Sequence, residues 1–94
     1  MILYIGYEAA KVSEDAADAI NTVIIAAAGK TNVQRALTNV WLIITDLRPS
    51  EWVDKIEAGV HKGDKLIVSR LQRGTAGLNV NAAATWIGAH REDF

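Results

Sequence analysis

Few residues in this chain have chemistry to offer. Glu8, Asp46 and Asp64 stand at the borders of apolar runs, and carboxylate oxygens are the ligands that a hard cation such as Mg²⁺ accepts. The plainer role for Glu8 is a solvated carboxylate at a strand end, and for Asp64 a turn aspartate. His61 and His90 are the two histidines. Neither lies in a nucleophile or zinc motif, and a general base needs a positioned partner. His61 is expected to end a helix, where a cation is favoured, and His90 falls in the tail. Arg70, Arg73 and Arg91, with Arg35 and Arg48, would form a phosphate-binding surface if the fold gathered them. Ordinary surface charge is the competing account, and the neutral overall balance favours it. Gly74-Thr75-Ala76-Gly77 lacks the Lys-Ser/Thr pair of a phosphate loop and reads as a flexible connection.

Composition narrows the classes. The 94 residues fit one domain, 1–94, and half of them are apolar. Ten basic residues against eleven acidic ones leave a net charge of -1, so no global field draws the chain to nucleic acid or an anionic membrane. There is no Cys, hence no disulfide and no thiolate metal site. The opening Met1-Ile2-Leu3-Tyr4-Ile5 has neither a basic leader nor a cleavage site, and no apolar run is long enough to span a bilayer. The expected setting is cytoplasmic, with no membrane partner.

The elements that must position these groups are written mostly in apolar spacing. Asn39-Val40-Trp41-Leu42-Ile43-Ile44-Thr45 is apolar at both parities, as a strand covered on both faces should be. Ile2 to Tyr7 reads as a first strand, with Leu3, Ile5 and Tyr7 on one face and Tyr4, Gly6 and Glu8 on the other. Ser13 is a candidate helix cap, followed by a stripe at Ala16, Ile20, Val23, Ile24 and Ala27, and Gly29 is a natural stop. Val33 to Leu37 suits an edge strand, turned by Thr38-Asn39 into the central one. Pro49 opens a helix whose stripe is Trp52, Val53, Ile56 and Val60, with Glu51 and Lys55 at i and i+4. Lys65 to Leu71 is the last strand, and Asn81 caps a short final helix with Ala83, Trp86 and Ile87 on its packing side.

The order strand, helix, strand, strand, helix, strand places the first and third strands in the middle. That is the α+β, ferredoxin-like βαββαβ arrangement: an antiparallel sheet, helices on one face, and a short C-terminal helix. Glu8 and Asp46 then lie at opposite ends of the sheet, Asp64 lies at the Glu8 end, and Arg48 and Arg70 share the end where the third and fourth strands finish. The expected core is Leu3, Ile5, Ile20, Val23, Ile24, Trp41, Ile43, Trp52, Ile56, Leu66 and Val68. The three tryptophans fall on apolar stripes, as core or interface residues and not base-stacking platforms. The face without the two main helices is also apolar, so the C-terminal segment, a second subunit or a partner must meet it. A homodimer is the main expectation.

Tyr4-Ile5-Gly6-Tyr7-Glu8, Thr38 to Leu47, Ser50-Glu51-Trp52, Gly63 to Val68, and Gly77-Leu78 with the later Trp86-Ile87 resemble the SinR family of small proteins. That family is similar in turn to VapD-like ribonucleases and to the second CRISPR-associated adaptation protein. The resemblance implies a ferredoxin-like homodimer. It also implies that carboxylates ending the first strand of two subunits lie near the dimer axis, where they can hold a divalent metal. In the adaptation proteins and SinR-like relatives that strand typically ends Tyr-Asp, where this chain has Tyr7-Glu8, a longer side chain at a place where metal geometry tolerates little shift.

Two functions are therefore expected to compete. The first is a dimeric, non-catalytic binding protein of the SinR-like class, acting on a protein or nucleic-acid partner without a cofactor, with Arg48, Arg70 and Arg73 as the nucleic-acid candidates. The second is a metal-dependent endoribonuclease, VapD-like or CRISPR-adaptation-like, using Glu8 and Mg²⁺ with Asp64 as the second carboxylate.

Overall fold

Two strands with apolar side chains at both parities form the middle of the fold. β1 (Ile2–Glu8) and β3 (Val40–Ile44) pair antiparallel, with Ile2 opposite Ile44 and Gly6 opposite Val40. β4 (Lys65–Arg70) pairs antiparallel with the other side of β1, and β2 (Val33–Leu37) with the other side of β3. The strand order is β2-β3-β1-β4. The computed structural model describes residues 1–11, 14–75, 77 and 80–94, with Glu14 described by its backbone alone. The expected cap at Ser13, and part of the 74–77 connection, lie outside these residues.

Three helices complete the α+β fold: α1 (Glu14–Ala28), α2 (Pro49–Glu57) and α3 (Asn81–Ala89). α1 stops where Gly29 donates its N–H to the Ile25 carbonyl at 2.9 Å. Its buried stripe is Ala17, Ile20 and Ile24, a three-then-four spacing. This shifts the expected stripe by a residue, because Ala27 turns to solvent and Val23 is only half-buried. In α2 the buried pair is Trp52 and Ile56, while Val53 is exposed. Pro49 occupies the first turn, and Glu51 accepts from the Arg48 backbone N–H at 3.4 Å and from Arg48 Nε at 3.0 Å. The expected Asn81 cap is displaced by one residue: Val80 holds the cap position and Asn81 begins the helix.

Side chains sort into two clusters, one per sheet face. Leu3, Ile5, Tyr7, Trp41 and Ile43 pack with Ala17, Ile20, Ile24, Trp52 and Ile56 on the face of α1 and α2. Trp41 and Trp52 bury their rings there and still find acceptors, Asn21 Oδ1 at 2.8 Å and Thr45 Oγ1 at 3.0 Å. Leu66 and Val68 join this cluster only in part, because β4 is an edge strand. On the other face Ile2 and Leu42 pack against Ala83, with Ile44, Trp86, Ile87 and Phe94 around them. Leu42 is left 4% exposed. The chain thus covers part of its second face with its own C-terminal segment. No helix among the described residues is long and apolar enough to cross a membrane.

Candidate functional site

Asp64 sits at the end of a turn that Gly63 makes with φ 88°. Its Oδ1 accepts the Ala10 N–H at 2.8 Å, and its Oδ2 accepts the Tyr7 hydroxyl at 2.6 Å and the His61 N–H at 2.9 Å. The side chain is 4% exposed. The backbone donor of Ala10, then the Tyr7 hydroxyl, hold its carboxyl below the usual aspartate value. Burial first, and the Asp64 hydrogen bond second, push the Tyr7 phenol up to about 12. Both Asp64 oxygens therefore serve protein donors, and the side chain staples the loop after β1 to the turn before β4. His61 belongs to this turn, past the end of α2, and its ring lies 3.8 Å from Asp64. Beside the staple lies a cleft of about 620 Å³ lined by Ala9, Lys11, Asp15, His61 and Lys62.

Glu8 is the neighbour of Tyr7 in sequence and faces the other way. Its carboxylate lies 4.0 Å from Lys65 Nζ and is 74% exposed, bordering a different cleft with Tyr4, Gly6, Val40 and Ile67. Alternation along β1 thus sends Glu8 and Tyr7 to opposite faces, and Asp64 stays with Tyr7. The structure does not bring Glu8 and Asp64 together. Asp46 follows β3 at the Ile2 end, away from Glu8, as the antiparallel register requires. Among the described residues no group of three His, Asp or Glu could hold a metal ion.

Among the described residues the Glu8 side of the outer face is open and apolar. Leu37 stands opposite Val40, Val40 opposite Gly6, and Gly6 opposite Ile67, so one row crosses all four strands. Leu37 is 55% exposed and Ile67 63%. The Tyr4 ring and Ile67 fill the space over Gly6: a Cβ there would come within 3.0 Å of the ring and 3.1 Å of Ile67. Beside the row a groove of about 440 Å³ runs between the sheet and α3, lined by Tyr4, Leu37, Val40, Leu42, Ala84 and Ile87. Residue alternation alone does not reveal this row. It follows only from the cross-strand register.

The arginines divide between mid-sheet, where Arg35 is level with Trp41 and Ile5, and the end remote from Glu8. Arg35 pairs with Asp18 at 3.0 Å and lies over the Trp41 ring. Arg48 pairs with Glu51 at 3.0 Å, whose carboxyl it holds below the ordinary value. Arg70 and Arg73 line one cleft with Phe94, and Arg73 and Arg91 line the next, also with Phe94. Of the expected trio, Arg70 and Arg73 come together, and Arg91 is their third member in place of Arg48. His90 follows α3, packs against Trp86 with the rings tilted at 48° and centroids 4.6 Å apart, and has Nδ1 3.2 Å from Asp93. No family model matches this chain, and no curated protein matches it.

Proposed function

We propose that this chain is a small self-associating binding protein of ferredoxin-like fold and SinR-like class, which acts by holding a protein or nucleic-acid partner and not by catalysis. The observation that carries this reading is the apolar row Leu37, Val40, Gly6, Ile67 across the outer face, whose two ends, Leu37 and Ile67, stay exposed among the described residues. A flat apolar strip across a whole sheet suits another flat sheet face, and a second copy presents one. Burying what remains exposed of Leu37 and Ile67, on the order of 100 Å² each, contributes about 2.5 kcal/mol per side chain. Association costs several kcal/mol before any gain appears, so the dimer is a weak one. Light scattering up to about 1 mM protein should show a rising mass, and Ile67→Glu should hold it at the monomer with an unchanged melting temperature. A wild-type monomer across that range overturns the dimer.

Glu8 supports a second reading, the metal-dependent endoribonuclease. It borders the same row, it is exposed, and its sole ion-pair neighbour among the described residues is Lys65 at 4.0 Å. Two copies meeting on this face would bring two such carboxylates toward each other, a fitting donor set for Mg²⁺. Each chain's part would be to supply one oxygen ligand from a strand end fixed by the β1–β4 register. RNA incubated with and without Mg²⁺ or Mn²⁺, beside Glu8→Ala, separates the readings. Metal-dependent cleavage lost in the variant would establish the enzyme and displace the binding role.

A further inference from the structure

We infer that Arg70, Arg73 and Arg91 form a binding site for the phosphates of a nucleic-acid strand, at the end of the sheet remote from Glu8. This rests on the binding-protein reading above and names its partner. The chain has five arginines, and the fold uses them in two ways. Arg35 and Arg48 each hold a carboxylate at 3.0 Å. Arg70, Arg73 and Arg91 are exposed, and among the described residues none has a carboxylate within 4.0 Å. They come from the end of β4, the turn after it and the turn after α3, so their meeting is a product of tertiary structure. Two adjoining clefts of about 390 and 220 Å³ share Arg73 and Phe94 as a common wall. Arg73 Nη2 donates to the Arg91 carbonyl at 3.4 Å, which ties the middle guanidinium to the chain segment carrying the third.

Guanidinium groups that hold no carboxylate within 4.0 Å among the described residues can take up an anion without giving up an ion pair. The planar fork of arginine matches phosphate oxygens in a way that lysine does not. The near-neutral chain has no general affinity for polyanions, so binding here is local to these groups. Phe94 belongs to the second apolar cluster. It acts as an apolar wall and not as a stacking platform, which makes the phosphate backbone and not the bases the recognised feature.

Fluorescence anisotropy with a labelled single-stranded RNA and a duplex of equal length, over a salt series, tests this on the whole chain. Pyrophosphate titrated alone and as competitor distinguishes free phosphate from a strand. The expected slope of log K against log salt is about -2 for a single strand held at three phosphates, each arginine contributing roughly -0.7. Arg73→Gln should weaken binding several-fold and flatten the slope by one such step, and the triple Gln variant should bind no strand. Lys55→Gln, which removes a cation from α2, should change neither. Run on Ile67→Glu, the titration should give the same slope, so failure of the dimer and failure of this site are separate results. A triple variant that binds as the wild type does overturns the site. Pyrophosphate binding with no strand binding overturns the nucleic-acid assignment in favour of a free phosphate ligand.

Discussion

Tyr7 and Asp64 show how one side-chain contact can fix a turn, and their titration gives it a signature. Asp64 in the folded chain holds its proton less tightly than an ordinary aspartate. The stability it adds is present above the unfolded-state value and is lost as pH falls through that value and on below the folded one. Tyr7 shifts the other way. Its folded value of about 12 exceeds the ordinary tyrosine value of 10.0, so its contribution is whole below 10 and is lost as pH rises toward 12. Absorbance at alkaline pH should show a tyrosinate step near 12 that vanishes in Tyr7→Phe. That variant should also lose roughly 1–2 kcal/mol at neutral pH by urea unfolding. Asp64→Asn should flatten the acid limb of the stability curve, and an unchanged limb would remove Asp64 from the account. Deeper in the same cluster Ile43 is fully buried, so Ile43→Ala should cost about 2–5 kcal/mol.

The elements were legible wherever burial imposes a simple period. The order of the elements places β1 and β3 in the middle of the sheet, as their apolarity at both parities then requires, and Gln34 and Arg35 suit β2 to an edge. Helix faces are less legible in the sequence. Ala17 replaces Ala27 on the buried side of α1, since alanines carry too little side chain to mark a face by composition. Val53 lies at the margin of the α2 stripe, where β-branched residues occur on either side. The Asp64 staple was out of reach because its donors come from Tyr7 and Ala10, more than fifty positions away; only its place in a turn could be foreseen. That turn offers a paired test. Gly63 and Gly74 have φ of 88° and 87°, so alanine at either suffers a similar backbone penalty of about 1–2 kcal/mol. A Cβ on Gly63 would meet the Ala10 Cβ at 3.2 Å, whereas among the described residues nothing lies within 4 Å of one on Gly74. Gly63→Ala should therefore lower the unfolding free energy more than Gly74→Ala. Equal losses would mean that the two loops are not held against each other at that point.

For the molecule as a whole, the sheet has two faces of unequal strength. Among the described residues the α1–α2 side closes over ten buried residues, and the α3 side over Ile2, Leu42 and Ala83. α3 has one buried residue of its own, Ala83, with Trp86 and Ile87 half-buried. An element held by so little buried surface opens by itself at a lower free energy than the sheet beneath it. Amide hydrogen exchange under native conditions should therefore find α3 exchanging at least about tenfold faster than β1 and β3. Ile87→Ala should widen that gap, since Ile87 packs on the Ile2–Leu42 cluster. Ile67→Glu should leave the gap unchanged, because Ile67 lies in the row that α3 does not cover. Each opening bares Leu42 beside Val40 and lengthens the apolar strip, so the variant that loosens α3 should also self-associate more readily in the scattering experiment. If α3 and β1 instead exchange at one rate, with the same dependence on denaturant, the two faces form one cooperative unit. The bare half of the outer face would then be a fixed feature of the fold and not one end of a surface that α3 can extend.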